Sequence, residues 1–168
     1  MPIRKLLVAN RGEIAVRIIQ SLKELNIQSV AVYSTADRDS LHVALADESY
    51  CIGPAATAES YLDIKKILQV AQLADADAVH PGYGFLAESE KFARACEKEG
   101  LIFIGPTAAT IELMGDKSQA KATAEKNGLP IVPGSDGIIR SREHAHQVAE
   151  SIGFPLVIKA VSGGGGKG

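Results

Sequence analysis

The fold is decided by the stretch from Lys5 to Tyr33, which reads KLLVANRGEIAVRIIQSLKELNIQSVAVY. Lys5 to Ala9 is a short apolar run that suits a strand buried on both faces of a sheet. After a turn at Asn10–Gly12, apolar residues recur at helical spacing, namely at Ile14, Ile18, Leu22 and Leu25. Ser29 to Tyr33 is a second apolar strand. The stretch therefore predicts a strand–helix–strand unit with two parallel strands.

The same alternation continues as far as Ile104 and predicts an α/β fold. Further strands are predicted at Ser49–Ile52, Ala78–His80 and Leu101–Ile104. Helices are predicted over Asp39–Ala46, from a Ser60-x-x-Asp63 start, and from a Ser89 cap to Gly100. Five strands separated by helices imply a Rossmann-like, doubly wound parallel sheet. Its first turn offers only Gly12, so the glycine-rich fingerprint of NAD-binding folds is missing.

A second unit begins at Gly115, so we expect one domain over residues 1–114 and another over 115–168. Its predicted elements are a helix to Asn127, an extended run at Leu129–Val132, a helix from Arg142 capped by Ser141, and a strand at Leu156–Val161. Two helices and about two strands bury too little apolar surface for a two-layer core. We therefore expect the second domain to be incomplete and the chain to be the N-terminal part of a larger protein.

The composition is that of an ordinary globular protein, with 46% apolar and 23% charged residues. A net charge of -2 and a pI of about 6.1 argue against nucleic-acid binding, and no polybasic run suits a membrane surface. No apolar run approaches the roughly 20 residues of a spanning helix, and no signal-peptide pattern is present. Cys51 and Cys96 are expected to be buried and reduced. We therefore expect a cytoplasmic protein.

A run of four glycines, Gly163–Gly166, precedes Lys167. Glycines carry no side chain to bury, and their amides can approach an anion closely, so the run suits a loop that covers phosphates. Lys159 stands in the apolar run before the loop, where an ammonium needs an anion or an edge position. The alternative is a flexible linker. The Walker pattern is excluded, because it requires glycine where Val161 stands and serine or threonine where Gly168 stands.

Three further motifs, taken together with the glycine loop, point to one family. They are ANRGEIAVR at residues 9–17, HPGYGFLAE at 80–88 and MGDK at 114–117. Together they resemble biotin carboxylase, the ATP-grasp component of acetyl-CoA carboxylase, and the resemblance spans all 168 residues. Pyruvate and other acyl-CoA carboxylases have similar N-terminal regions, so the motifs do not separate these carboxylase systems.

The resemblance implies an ATP-dependent ligase, with a Rossmann-like domain followed by the start of an ATP-grasp domain. Such an enzyme activates bicarbonate with ATP as carboxyphosphate and then carboxylates biotin on a carrier protein, with Mg²⁺ or Mn²⁺ bridging the phosphates. This is the first half-reaction of acetyl-CoA carboxylase in fatty-acid synthesis, and carboxyltransferase subunits perform the second. The resemblance also implies a homodimer, with the helix from Ile14 to Leu25 near the dimer contact.

By the same resemblance, Lys117 and Lys159 bind ATP, and Gly165 and Gly166 lie in the lid over its phosphates. A lysine ammonium is a mobile point charge that suits phosphate oxygens. A wider set of candidate binding residues comprises Gly163, Gly164, Lys167, His80, Gly82 and Tyr83. The last three belong to a loop that lines the active-site mouth near biotin. The family's metal ligands, bicarbonate site and catalytic base follow Gly168, so we expect no catalytic residue here and no activity from this polypeptide alone.

Other interpretations of the same residues stay open at this point. His80–Gly84 also suits a rigid turn after a strand, and Glu88 suits a helix cap, a solvated residue, a general base or a metal ligand. Arg11, Glu13 and Arg17 are expected to form structural ion pairs around the first turn. For the whole chain, the alternatives are another ATP-grasp ligase and a free-standing Rossmann-like module that binds a nucleotide or a partner.

Overall fold

The computed structural model describes residues 2–135 and 137–158, except for the side chains of residues 117 and 118. Backbone contacts divide the chain into two units, Met1–Glu112 and Leu113–Gly168. In the described part of the chain, no helix is both long enough and apolar enough to cross a membrane.

The first unit is built on a parallel sheet. Its strands within the described residues are β1 (Lys5–Val8), β2 (Gln28–Ser34), β3 (Glu48–Gly53), β4 (Ala78–His80) and β5 (Ile102–Phe103). They lie in the order β3-β2-β1-β4-β5, and each neighbouring pair is parallel. The predicted α/β fold with a parallel sheet is therefore confirmed. Both faces of such a sheet are covered, which explains why the inner strands β1, β2 and β4 are buried along most of their length.

Helices cover the two faces of this sheet. In the described residues they are α1 (Gly12–Glu24), α2 (Leu41–Leu45), α3 (Ile64–Leu73) and α4 (Glu90–Lys98). A fifth helix, α5 (Ala108–Gly115), begins in the first unit and packs through Ala108 and Ile111 against Ala93 and Phe103. Successive residues of a strand point to opposite faces, so Leu6 and Val8 pack with α1 whereas Leu7 packs with α3 and α4. Leu25 was predicted to face inward but is 66% exposed, because it follows the last turn of α1.

The start of α3 differs from the prediction. The side chain of Asp63 accepts a hydrogen bond from the Lys66 amide at 3.2 Å, so Asp63 is the N-cap. Ser60 does not cap this helix, because its hydroxyl donates to the carbonyl of Ala56 in a preceding 3₁₀ turn. The prediction for α4 is confirmed, since Ser89 accepts a hydrogen bond from the amide of Phe92.

Two further features of the first unit were missed or misjudged from the sequence. Helix α5 was not predicted, because its apolar residues are spread around the helix and do not form one face. At its start, the Thr107 hydroxyl accepts a hydrogen bond from the Thr110 amide.

The exposure of Cys51 contradicts the prediction that this residue is buried. Cys51 lies on β3 at the sheet edge, beside the buried Ile52. Cys96 is fully buried as predicted, and burial raises the pKa of its thiol to about 12.

The second unit contains two predicted helices, α6 (Lys117–Lys126) and α7 (Arg142–Ile152). Asp116 caps α6 by accepting a hydrogen bond from the Gln119 amide at 2.9 Å. Ser141 caps α7 as predicted, by accepting from the His144 amide at 3.1 Å. Gly128 follows α6 with a φ of +71°, in the left-handed conformation that commonly ends a helix.

The strands predicted for the second unit are not present in its described residues. Leu129–Val132 forms no strand, and neither do residues 156–158 of the run predicted at Leu156–Val161. A strand forms only against a partner, and Val157 and Ile158 are each 78% exposed. The rest of that run, from Lys159 onward, lies outside the described residues.

A buried histidine makes the first unit sensitive to acid. His42 on α2 is 1% exposed; its Nε2 lies 3.3 Å from the carbonyl oxygen of Val32, and its Nδ1 has no partner among the described residues. Burial lowers the pKa of His42, although Val32 and Asp37 oppose the shift. Below the ordinary histidine pKa of about 6.5, His42 therefore binds a proton in the unfolded chain but stays neutral in the native chain, which favours unfolding.

We therefore expect the free energy of unfolding to fall as the pH is lowered from 7.5 to 5.5. Urea unfolding of wild type and of a His42→Leu variant at both pH values checks this. The variant should lose part of the pH dependence, and the lowered pKa of His80 accounts for a further part. Equal pH dependence in the two proteins would contradict the assignment.

Candidate functional site

The candidate site lies where the strand order reverses, between β1 and β4. Val8 and His80 are register partners at the carboxyl ends of these two strands. The connections from β1 and β4 lead to opposite sides of the sheet, which leaves a crevice between the two following loops. The motifs at residues 9–17 and 80–88, which are far apart in sequence, therefore meet at one edge.

Asn10 joins the two loops. Its side chain is 3% exposed, and its Nδ2 donates to the carbonyl oxygens of Pro81 at 2.7 Å and Tyr83 at 2.8 Å. Its Oδ1 accepts a hydrogen bond from the amide of Arg11 at 2.9 Å. Both amide hydrogens and the amide oxygen are thus used, so the start of one loop determines the backbone path of the other.

The loop after β4 presents His80, Gly82 and Tyr83, three of the predicted binding residues. His80 is half-buried, and its Nδ1 accepts a hydrogen bond from the Gly82 amide at 3.0 Å. Tyr83 is 59% exposed, and its hydroxyl donates to the carboxylate of Glu13 at the start of α1. The structure therefore brings these three residues together at the switch point, with Tyr83 facing solvent.

A second set of contacts lies beside this loop and centres on Arg11. The Arg11 guanidinium lies 5.4 Å from the ring centre of Tyr61 and 5.6 Å from that of Phe85. The two rings are stacked 5.1 Å apart at an interplanar angle of 8°. Arg11 Nη1 also lies 3.2 Å from Asp37 Oδ2, which accepts hydrogen bonds from Ser34 Oγ at 2.6 Å and Tyr61 Oη at 2.7 Å.

The charge states at this edge follow from burial and hydrogen bonding. Burial opposes ionisation of Asp37, but hydrogen bonds from Ser34, Tyr61 and Arg11 outweigh it and hold the pKa of Asp37 below its usual range. Burial and the bond to Asp37 raise the pKa of Tyr61 to about 12. Burial lowers the pKa of His80, which favours its neutral ring. The edge therefore combines the Arg11–Asp37 ion pair with the neutral rings of Tyr61 and His80, which suits binding and positioning of a ligand.

Two glycines in this loop provide a matched test of its backbone. Gly82 and Gly84 have φ values of +65° and +67°, so alanine is strained at either position by about 1–2 kcal/mol. At Gly82 an added Cβ would also lie 2.8 Å from Asn10 Nδ2, whereas at Gly84 it would meet nothing within 4 Å.

We expect Gly82→Ala to lower the free energy of unfolding by about 1–3 kcal/mol more than Gly84→Ala, because it displaces the Asn10 amide. Urea unfolding of the two variants measures the difference. Equal effects would show that Asn10 does not hold the loop as described.

The candidate ATP residues belong to the second unit. Lys117 is the first residue of α6, directly after the Asp116 cap, and its side chain lies outside the described atoms. The other candidates lie outside the described residues, namely Lys159, Gly163, Gly164, Gly165, Gly166 and Lys167. Among the residues that the structure describes, no group of three or more His, Cys, Asp or Glu side chains could hold a metal ion.

Sequence reasoning placed some contacts correctly and missed others. Arg11 forms an ion pair as predicted. The ion pairs predicted for Glu13 and Arg17 are not found among the described residues. Glu13 instead accepts a hydrogen bond from the Tyr83 hydroxyl, and Arg17 Nη1 donates to Ser21 Oγ. Glu88 is exposed, and Ser89 is the residue that caps α4.

The other residues of the Arg11 cluster, Asp37, Tyr61 and Phe85, were not predicted. They come from three separate loops and share no sequence spacing. Asn10 belongs to the motif at residues 9–17. A polar residue directly after a buried strand was the signal that could have indicated its role at the site.

Comparison with known proteins identifies the family. The model described as biotin carboxylase, N-terminal domain, matches residues 2–111. The model described as carbamoyl-phosphate synthase L chain, ATP binding domain, matches residues 116–168. Biotin carboxylase 1 of Bacillus subtilis is 57% identical over 166 residues, which cover 99% of this chain and 37% of that protein. Pyruvate carboxylase of Staphylococcus aureus is also 57% identical, over 167 residues that cover 99% of this chain and 14% of that protein.

A solved structure agrees with these sequence matches. The biotin carboxylase domain dimer of Hydrogenobacter thermophilus 2-oxoglutarate carboxylase, in complex with MgADP, ADP and bicarbonate, is similar with a TM-score of 0.91 and 50% identity. The match covers 99% of this chain and 37% of that one, so the chain spans well under half the length of these relatives. Since the N-terminal domain model covers most of the chain, the protein belongs to the biotin carboxylase N-terminal domain family.

Proposed function

We propose that this chain forms the N-terminal part of an ATP-dependent biotin carboxylase, a ligase that activates bicarbonate with ATP and carboxylates biotin on a carrier protein. The observation that carries the proposal is the 57% identity to the Bacillus subtilis biotin carboxylase over 166 residues. The magnesium, ADP and bicarbonate of the Hydrogenobacter thermophilus complex are ligands of that protein, and they agree with the reactants proposed here.

The proposed domain division is a Rossmann-like domain at residues 1–114 and the start of an ATP-grasp domain at 115–168. The family matches to residues 2–111 and 116–168 support it. So does the division of backbone contacts between Glu112 and Leu113.

The proposed ATP residues are Lys117, Lys159, Gly165 and Gly166, with Gly163, Gly164 and Lys167 in the same loop. The match of an ATP-binding domain model to residues 116–168 supports them as a group, because it contains every one. His80, Gly82 and Tyr83 are proposed to line the biotin side of the site. Their position at the carboxyl edge of the sheet, where open α/β sheets bind ligands, supports this assignment.

The proposed setting is a cytoplasmic acetyl-CoA carboxylase system of fatty-acid synthesis, with a biotin carboxyl carrier protein and carboxyltransferase subunits as partners and a homodimer as the assembly. Mg²⁺ or Mn²⁺ is the proposed metal, and its ligands are assigned to the part of the relatives that this chain does not cover.

The equal identity to Staphylococcus aureus pyruvate carboxylase favours a second candidate, a pyruvate carboxylase. Comparing acetyl-CoA and pyruvate as final carboxyl acceptors for the full-length protein and its partners separates the two.

The test of the proposed function is phosphate release from ATP, measured with and without bicarbonate and free biotin. We expect full-length protein to need both for full turnover. We expect the 168-residue polypeptide to match a blank, because its matches cover 37% of the Bacillus subtilis enzyme. Turnover of the short polypeptide well above the blank would refute the second expectation, and an inactive full-length protein would refute the function.

A further inference from the structure

Arg11 connects the loops that follow four strands of the sheet. Arg11 itself follows β1, and its ion-pair partner Asp37 belongs to the 3₁₀ turn that follows β2. Tyr61 lies between β3 and α3, and Phe85 lies in the loop after β4. Because parallel strands end at the same edge, one guanidinium can contact residues from all of these loops. No other described arginine has such contacts; Arg94, for comparison, pairs with Glu90 and Glu112.

The contacts of Arg11 restrain it in several directions. Its guanidinium stacks beside the Tyr61 and Phe85 rings, and its Nη1 faces the Asp37 carboxylate. The phenol of Tyr61 is fully buried, and its oxygen also accepts a hydrogen bond from the Ser34 amide at 2.9 Å. A guanidinium has a rigid, planar shape that can stack and form an ion pair at the same time, which a lysine cannot reproduce.

The loop segment that Arg11 contacts has a strained backbone. Phe85 has a φ of +39°, a conformation that a bulky residue adopts only when its surroundings enforce it. The next residue, Leu86, is 5% exposed, and the Ala87 amide donates to the Gly84 carbonyl at 2.8 Å. Packing of the Phe85 ring against Tyr61 and Arg11 therefore helps to keep the turn closed. Tyr83, whose side chain faces solvent, lies two residues before Phe85.

We propose that Arg11, held by Asp37 and Tyr61, is a positioning residue that sets the conformation of the Pro81–Leu86 loop and thereby the affinity of the site for biotin. This inference rests on the proposed function and deepens it. Arg11 acts through Phe85 and the loop backbone, while the ATP residues belong to the second unit. The role therefore concerns the acceptor side of the reaction, and loss of Arg11 should leave ATP affinity intact.

The test uses full-length protein with an Arg11→Ala substitution and measures KM for free biotin and KM for ATP. We expect KM for biotin to rise by about tenfold or more, since a shift of about 1 Å in a positioning group has effects of this size. KM for ATP should stay within about twofold. Arg11→Lys should fall between wild type and Arg11→Ala, because lysine keeps the charge and loses the planar stack. A parallel rise of both KM values would overturn the proposal.

Arg94→Ala is the matched control, because Arg94 also forms ion pairs, with Glu90 and Glu112, and has no described contact with the loop. It should leave both KM values unchanged. If Arg11→Ala does not fold, Tyr61→Phe gives a milder test, because it keeps the ring stack and removes the hydroxyl that binds Asp37. It should raise KM for biotin without changing KM for ATP, and an unchanged KM for biotin in both Tyr61→Phe and Arg11→Lys would overturn the proposal.

Hydrogen exchange separates this inference from the proposed function. If full-length wild type shows no biotin-dependent turnover, the proposed function fails, and amide exchange still reports on the loop. Faster exchange at the hydrogen-bonded amides of Gly82 and Ala87 in the Arg11→Ala variant, with the strand amides unchanged, would support the positioning role. Unchanged exchange in the loop would overturn it.

Discussion

Full-length protein with both Lys117→Ala and Lys159→Ala is expected to lose at least about 100-fold of its bicarbonate-dependent ATP turnover. A charge-assisted hydrogen bond contributes about 1.5–3 kcal/mol, so the loss of two corresponds to about 10²–10⁴-fold. Both lysines lie within residues 116–168, which match the ATP-binding domain model. Isothermal calorimetry with MgATP, combined with the turnover assay, separates lost binding from lost chemistry.

Lys121→Ala is the control for this experiment. Lys121 is on the same helix, one turn after Lys117, and its Nζ lies 3.3 Å from the carbonyl oxygen of Gly134. Its removal should change turnover by less than about twofold, as is usual for an exposed surface contact. Equal losses in Lys117→Ala and Lys121→Ala would mean that α6 tolerates no substitution, and Lys117 would have no special role.

Asn10→Ala is expected to cause a large loss of stability, because the Asn10 side chain joins two loops at the switch point. It leaves the carbonyl oxygens of Pro81 and Tyr83 and the Arg11 amide without their hydrogen-bond partner. A buried polar group without a partner costs about 1–3 kcal/mol, so we expect the free energy of unfolding to fall by about 2–4 kcal/mol. Urea unfolding measures the change, and a loss below about 1 kcal/mol would contradict the bridging role.

Two substitutions sharpen this test. Asn10→Asp has the same shape but places a carboxylate oxygen against two carbonyl oxygens, so it should destabilise the first unit at least as much as alanine at neutral pH. Asn127→Ala removes the same kind of bond at an exposed position, where Asn127 Nδ2 donates to the Thr123 carbonyl at 2.7 Å. Its effect should stay within about 0.5 kcal/mol, because water replaces the lost partner.

The strands of the first unit were predictable because burial on both faces leaves a direct mark on sequence. Runs such as Leu6–Val8 are apolar at every position, and a helix-spaced pattern between two of them indicates a parallel crossover. Predictions failed where a local signal was ambiguous or a partner was needed. Ser60 and Asp63 are both good caps, and only the 3₁₀ turn before α3 selects Asp63. Residues 156–158 have strand-like composition but no strand partner among the described residues.

The order of elements from β1 to β5, the helix caps at Ser89 and Ser141, and the family motifs were all available from the sequence, because each depends on residues close together along the chain. The structure alone revealed that Asn10 bridges to Pro81 and that Arg11 contacts residues from the loops after three other strands. Such contacts join residues up to 74 positions apart, as Arg11 and Phe85 are. No local pattern encodes them, because they arise only when parallel strands bring their carboxyl ends to one edge.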